Sequence, residues 1–349
     1  MANLSVYRNE VRKEKVYRIH DKIEKYERLL DEVTARFSME LENIERKCLD
    51  SKENHDVLLN AVTKAMNNMN HVCEEFERGV GYDKNIIKES QINFRKKTDH
   101  VICKSYFMNR ARTWPQGCQG DYKMLESVYR NTPQSEGIGY YLDRYCLNLA
   151  LGEGVKDRIK KLEEMLRDEI TVRKKPSILN IACGSCRELM GITSEISASD
   201  AKIICIDNDN DALAFAQSRL SYAEMPTPME FYKYNVLRMF DSEIGMAEFG
   251  KHDIIYSVGL FDYLPDDFLI KMLHALYMLL NPGGKLMAAF KDADRYKSQP
   301  YHWLLDWNGF LQRSKEDFDR ILLEAGIPDS ALSQTRDKSG VIIFYTATK

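Results

Sequence analysis

A change of hydrophobic period near Pro176 constrains this chain more than any other feature. Before it, apolar residues recur at helical spacing. After it, short apolar runs at 177–182, 202–206, 229–234, 253–257, 285–290 and 341–346 alternate with helical stretches near 187–197, 209–222, 265–280 and 314–326. That alternation predicts an α/β fold, a largely parallel sheet with helices on both faces. Right-handed crossovers then gather the C-terminal ends of the parallel strands along one edge, where open α/β sheets bind ligands.

The first half reads differently. Residues 6 to about 110 carry helical spacing throughout, with Ile19, Ile23, Tyr26, Leu30, Val33 and Phe37 on one face. Fewer than three clean heptads is too short a run to require a coiled coil. The stripe predicts an all-helical bundle, and a homodimer formed through these helices is the alternative. Breaks are expected at 50–54 and at Gly79-Val80-Gly81, and a third helical stretch over 84–111 stops before Trp114-Pro115. Residues 114–139 read as an ordered connector, and 153–171 as a charged helix with Val155, Ile159, Leu162 and Leu166 on its apolar face. The expected division is therefore a helical domain over 1–112, a connector with its helix over 113–172, and an α/β domain over 173–349.

With 349 residues, 44% of them hydrophobic, the chain can bury a substantial core. A formal net charge of −3 gives no basic footprint for nucleic acid. No run of about eighteen apolar residues predicts a membrane span, and Met1-Ala2-Asn3-Leu4-Ser5 does not open a signal peptide. A cytoplasmic protein with free thiols is the expectation for its eight cysteines. Cys183 and Cys186 have C-x-x-C spacing, but a lone pair supports zinc poorly because structural sites need four ligands. Packing around the adjoining turn is the expected role, and no metal is expected. The histidines at 20, 55, 71 and 100 show no metal-binding spacing either.

Several residues converge on the predicted ligand edge. Ala182-Cys183-Gly184 follows the first strand, and Gly184 allows a tight turn and close approach of a ligand. Asp207 and Asn208 end the second strand about twenty residues later, where a carboxylate can accept both hydroxyls of a ribose. Asn235 and Val236 end the third strand, and Asn235 can bond an adenine edge. The fourth runs through Ser257 and Gly259 into Asp262 and Tyr263, and Asn281-Pro282-Gly283-Gly284 turns into the fifth. Arg187 opens the helix after the glycine turn.

This ordering resembles the class I S-adenosylmethionine (SAM) dependent methyltransferases, whose fifth strand is commonly introduced by such a Pro-Gly-Gly turn. The resemblance implies a Rossmann-like domain with a mixed, mostly parallel sheet of seven strands, and SAM as cofactor. Residues 95–349 further resemble the extracellular factor 3-hydroxypalmitic acid methyl ester biosynthesis proteins of bacteria. That likeness rests on Trp114-Pro115-Gln116-Gly117-Cys118-Gln119-Gly120-Asp121-Tyr122, on 182–189, on Gly259-Leu260-Phe261-Asp262-Tyr263-Leu264, and on Leu305-Asp306-Trp307 with Arg313. Cys118 stands where that pattern has a tyrosine, and Ser185 and Cys186 replace small or glycine residues.

Carried over, the resemblance implies Gly184 beside the methionine part of SAM, Asp207 on the ribose, Asn235 near the adenine and Arg187 on the SAM carboxylate. Ala182, Asn208, Val236, Ser257 and Gly259 would complete the cofactor site. Acceptor contacts would come from Trp114, Asp121, Tyr122, Asp262, Tyr263, Trp303, Trp307 and Arg313, with His302 and Tyr263 as candidate catalytic groups. The aromatic residues could equally bury a domain interface, and Asp262 and Tyr263 could simply fix a loop. Three readings stay open: O-methylation of a carboxylate such as that of a 3-hydroxy fatty acid; N-, C- or S-methylation of another metabolite; or a non-catalytic SAM-binding scaffold with a helical partner-binding arm.

Overall fold

The computed structural model describes residues 2–49, 54–223 and 229–349, with side chains described from residue 21 onward. The connection expected at 50–54 lies outside the described residues except for Asn54, and the side chains of Ile19 and His20 lie outside them too. The chain divides into two compact units, one of Met1–Pro115, Pro133–Cys146 and Ser298–Trp307, the other of Gln116–Thr132, Leu147–Lys297 and Asn308–Lys349. The connector expected over 113–172 thus contributes to both units, and ten residues from the C-terminal half join the helices.

The first unit is helical: Ala2–Cys48, His55–Gly79, Lys84–Ile102, Tyr106–Thr113 and Ile138–Leu147. Polar side chains start these helices. Asn54 accepts from the Asp56 amide at 2.7 Å, and Asp83 from the Asn85 amide at 2.9 Å, so each satisfies a donor that the first turn leaves unpaired. Of the stripe on the first helix Leu30 and Phe37 are buried, with Leu41 and Ile44 beyond it, while Ile23, Tyr26 and Val33 are half-buried, and Phe37 stacks on Phe94 at 6.1 Å. Gly79 ends the second helix against the Tyr26 ring, where a β-carbon would come within 2.4 Å of a ring atom. Trp303 is fully buried, edge-to-face with Phe76 at 5.7 Å and Phe94 at 5.9 Å, and its indole N–H donates to Glu77 at 2.8 Å.

The second unit is the α/β domain. Its strands are β1 Ser177–Ile181, β2 Lys202–Asp207, β3 Met229–Lys233, β4 His252–Val258, β5 Leu280–Lys291, β6 Leu332–Arg336 and β7 Ile342–Thr348. They form one sheet in the order β3-β2-β1-β4-β5-β7-β6, in which β1 to β5 are parallel and β7 runs antiparallel to β5 and β6. This is the mixed seven-stranded, Rossmann-like sheet that the resemblance implies. The six apolar runs became strands because both faces of the central sheet are covered. β6 had no apolar run to betray it, since Leu332-Ser333-Gln334-Thr335-Arg336 is a half-exposed edge strand.

The stretch expected as one helix over 187–197 is two, Arg187–Met190 and Thr193–Ser199, parted at Gly191. Short helices at Tyr122–Arg130 and Ser242–Phe249 were not anticipated. On one face of the sheet Leu273, Leu276, Phe290 and Phe318 share a core, with Phe290 stacked on Phe318 at 4.2 Å. The strand order, not the strand direction, reverses between β1 and β4, which makes that junction the topological switch point where such folds bind ligands.

Candidate functional site

At the switch point β1 ends in a turn with an unusual backbone. Ala182, Gly184 and Cys186 all have positive φ, at 52°, 53° and 47°. Only glycine adopts that region freely, and each L-residue there costs roughly 1 kcal/mol. The amides of Cys183, Gly184 and Cys186 in this turn donate to the Ile206 carbonyl, the Asp207 carboxylate and the Cys183 carbonyl, and a β-carbon at Gly184 would meet nothing within 4 Å. An open cleft lies here, lined by Tyr122, Tyr129, Ile159, Leu162, Ala182, Gly184, Arg187 and Val258.

Asp207 ends β2 beside the turn. One carboxylate oxygen accepts from the Gly184 amide at 2.8 Å and the other from the Asp209 amide at 2.9 Å. Each oxygen keeps a further lone pair for a ligand hydroxyl. Burial raises the Asp207 carboxyl above its usual range, partly offset by these amides. Asn208 is exposed next to it. Asn235 is exposed after β3, where its carbonyl caps the turn Val236–Phe240 by accepting from Leu237 at 3.1 Å, so its NH2 is the group left to meet a base edge. Val236 is half-buried. Ser257 is fully buried, and its hydroxyl is spent on the Ile181 carbonyl at 2.9 Å. Only its backbone can serve a ligand.

Arg187 lines the cleft with one terminal nitrogen committed. It pairs with Glu126 at 3.2 Å, and Glu126 also accepts from the Ser185 hydroxyl at 2.7 Å and from both terminal nitrogens of Arg219, one of them at 2.7 Å. Burial pushes the Glu126 carboxyl up, but the bonds from Arg219 and Ser185 outweigh it and hold the group below its ordinary range. Glu126 is buried at 5% exposure and clamps the turn through Ser185. Deeper in the cleft, burial raises Glu188 to about 7, and it accepts from Tyr256 at 2.7 Å and Asn180 at 2.9 Å.

The C-x-x-C pair gains a third member. Cys205 on β2 brings its sulfur to 3.7 Å from that of Cys186, and the sulfurs of Cys183, Cys186 and Cys205 all lie within 4.8 Å of one another. Hydrogen bonds from the other two thiols hold Cys183 down to about 5, while Cys186 and Cys205 are pushed up.

Past β4, Gly259 has φ +107°, and Asp262 and Tyr263 lie in the short 3-10 turn Phe261–Tyr263. Asp262 is 1% exposed and accepts from the Lys291 ammonium at 2.5 Å and the Lys291 amide at 3.0 Å. The same ammonium sits 5.4 Å from the centre of the half-buried Tyr263 ring. Arg158 is also buried here, donating to the Tyr129 hydroxyl at 3.2 Å. Two expected acceptor contacts are corrected at this edge. Arg313 is buried and fully employed, on Asp266 at 2.7 Å and the Leu264 carbonyl at 2.5 Å, so it holds the loop rather than a substrate. Asp121 is buried as the N-cap of Tyr122–Arg130, accepting from Lys123 at 2.9 Å. Tyr122 does line the cleft, its ring 5.3 Å from that of Phe215.

The remaining candidates belong to the helical unit. Trp303 is corrected from a channel wall to a core residue, since its ring has no exposed surface. His302 lies in the π-helical turn Pro300–Leu304, and burial lowers it to about 4, which leaves it neutral at pH 7 and a weak base. Trp307 is half-buried, its amide donating to Tyr301 at 2.7 Å, and Trp114 is 44% exposed in a left-handed helix C-cap. Sequence reasoning passed over Glu126, Arg158, Glu188, Arg219 and Lys291. Each is a charged residue on a charged helix or strand end, and no local spacing marks it.

Residues 178–284 match a family model described as a methyltransferase domain. Among solved structures, the chain is similar to a possible exported protein from Bordetella parapertussis, 18% identical with a TM-score of 0.57, over 72% of this chain and 85% of that one. It is also similar to magnesium protoporphyrin IX methyltransferase (ChlM) from Synechocystis PCC 6803 with bound SAM, at 13% identity, TM-score 0.41, and 57% and 82% coverage. A third is an O-methyltransferase family protein from Burkholderia thailandensis, at 13% identity, TM-score 0.43, and 57% and 59% coverage. No curated protein matches. No helix among the described residues is long and apolar enough to cross a membrane. The matched stretch runs from β1 to the glycines that lead into the pairing of β5, and so contains the left-handed turn and Asp207; the chain is an enzyme with a class I SAM-dependent methyltransferase domain, and SAM is its cofactor.

Proposed function

We propose that the enzyme methylates the carboxylate of a small apolar acid, with a 3-hydroxy fatty acid as the type, like the methyl ester biosynthesis proteins its motifs resemble. One observation carries the carboxylate: past β4 two buried cations, Arg158 and Lys291, face one buried carboxylate, Asp262. A surplus buried cation is costly unless an anion meets it. A neutral or protonated amine acceptor would gain nothing from that field.

The turn fits SAM. Asp207 has lone pairs left for two ribose hydroxyls, the NH2 of Asn235 suits an adenine ring nitrogen, and Gly184 leaves open the space beside the turn amides where the methionine part would lie. Asn208, Val236 and the backbone at Ala182, Ser257 and Gly259 border the same site. SAM supplies a methyl group already activated by its positive sulfur. An ionised carboxylate needs no general base to accept it, so the residues have to align the acceptor and exclude water. Tyr122, Tyr129, Ile159 and Leu162 supply the apolar wall. Tyr263 and the Asp262–Lys291 pair would orient the acid, and neither His302 nor another base is required.

The test is to incubate the enzyme with methyl-labelled SAM and 3-hydroxy acids of graded length, alongside matched amines, alcohols and thiols. Labelled ester that releases methanol in mild alkali is expected. Alkali-stable label in an amine, a ring carbon or a thiol would overturn the assignment. In the same protein Asp207→Ala should weaken SAM binding by roughly 10–100-fold, the worth of hydrogen bonds to a charged acceptor. Unchanged affinity in a calorimetric titration, run beside NAD as a control, would remove Asp207 from the site.

A further inference from the structure

Arg158 is the least satisfied charge in the α/β unit's described residues. It projects from the helix Ala150–Thr171, is 3% exposed, and its Nε has no hydrogen-bond partner although it is buried. One terminal nitrogen donates to Tyr129 at 3.2 Å. The other faces Gly259, where a β-carbon would lie 3.3 Å from it, so glycine keeps a side chain out of the guanidinium's way. The nearby carboxylate of Asp262 is committed twice to Lys291, and the Arg158 charge is left without an ion-pair partner. A guanidinium that is desolvated, holds one neutral hydrogen bond and leaves a donor orphaned is poorly explained by stability. It is well explained by a planar anion that accepts two of its N–H groups. Its neighbours Tyr129, Ile159 and Val258 line the cleft that holds Ala182 and Gly184. Arg187, which also lines the cleft, has one terminal nitrogen on Glu126.

We propose that Arg158, at the border of this cleft, is a carboxylate-binding residue, taking the carboxylate of the SAM amino acid end or that of the methyl acceptor. The proposal rests on the cleft being the SAM site.

The experiment uses the full chain with Arg158→Gln and Arg158→Lys. Binding is titrated with SAM, with 5′-methylthioadenosine, which has the same nucleoside and sulfur but no amino acid, and, in the presence of S-adenosylhomocysteine, with 3-hydroxydodecanoate. The melting temperature of both variants is read alongside, because Arg158 also holds a hydrogen bond to Tyr129. If the cofactor supplies the carboxylate, Arg158→Gln weakens SAM by roughly 10–100-fold and leaves methylthioadenosine unchanged. If the acceptor supplies it, both nucleosides bind as before and 3-hydroxydodecanoate weakens by a similar factor. In either case Arg158→Lys recovers part of the loss, since it keeps the charge without the fork. Unchanged affinity for all three ligands overturns the proposal. So does a parallel loss of SAM and methylthioadenosine with a lowered melting temperature, which would mark a structural role. Wild-type protein that binds neither nucleoside would defeat the assignment of the cleft itself, a result separable from the others because it appears before any substitution.

Discussion

Removing the Glu126 carboxylate should destabilise the α/β unit more than any exposed substitution could. Glu126 is 5% exposed and gathers the Ser185 hydroxyl, Arg187 and both nitrogens of Arg219. The Arg219 side chain is 12% exposed, that of Arg187 35%, and that of Arg130, 3.9 Å away, 60%. Solvent screens Arg130 and partly Arg187, so the cost lies with Arg219, which Glu126→Ala leaves buried and uncompensated. Breaking such a pair on one side costs about 3–5 kcal/mol. For a unit of about 200 residues that lowers the melting temperature by roughly 6–20 °C. Glu126→Leu combined with Arg219→Met should return to within about 1.5 kcal/mol of wild type, because an apolar pair replaces an ionic one. The carboxyl titrates below its unfolded value, so its contribution is present above that value and fades as pH falls through the folded pKa. Thermal unfolding followed by calorimetry between pH 3 and 7 reads both effects, and SAM titration reads the loosened Ser185. A Glu126→Ala loss under about 1 kcal/mol, or a double variant no better than the single one, would refute the reasoning.

Cys186→Gly should leave stability within about 1 kcal/mol, since relief of a left-handed φ of 47° offsets the lost thiol packing. It should also move the alkylation midpoint of Cys183 from about 5 toward the ordinary thiol value, and an unmoved midpoint would show that Cys186 does not set it. His252, 1% exposed, is lowered to about 4 by burial. The unfolded chain therefore binds protons first, and stability should fall between about pH 6.5 and 4, by on the order of 3 kcal/mol. His252→Gln should flatten that slope in urea titrations, and an equally steep slope would exclude the histidine. Deleting residues 1–90 removes Phe76 and Glu77 from Trp303. SAM binding should persist while tryptophan emission shifts to the red, and unshifted emission would show that Trp303 keeps a dry environment without those helices.

Much of this was legible in the chain because periodicity reports which face of an element is buried. The stripe through Leu30 and Phe37, the six apolar runs and the spacing from Gly184 to Asp207 are local properties, and the long helices and six of the seven strands formed near where they placed them. Periodicity does not report what the buried face meets. Trp303 reads as a mouth aromatic, yet it fills the helical core because Phe76, Glu77 and Phe94 converge on it from far along the chain. A charged residue is subtler still, since its pattern is the same whether it faces water or an ion-pair partner. Arg187 looked available until Glu126, 61 residues away, took one of its terminal nitrogens, and Glu126 meets Arg219 across 93 residues. Likewise the C-x-x-C pair became a cluster of three only when β2 was laid beside β1 and brought Cys205 across. The sequence by itself determined the elements, the sheet class and the cofactor turn, because backbone conformation and burial periodicity are local. Tertiary structure alone decided which charges pair, which aromatics are core and that Arg158 is left facing the cleft's border, because those outcomes depend on desolvation and partners that no neighbouring residue encodes.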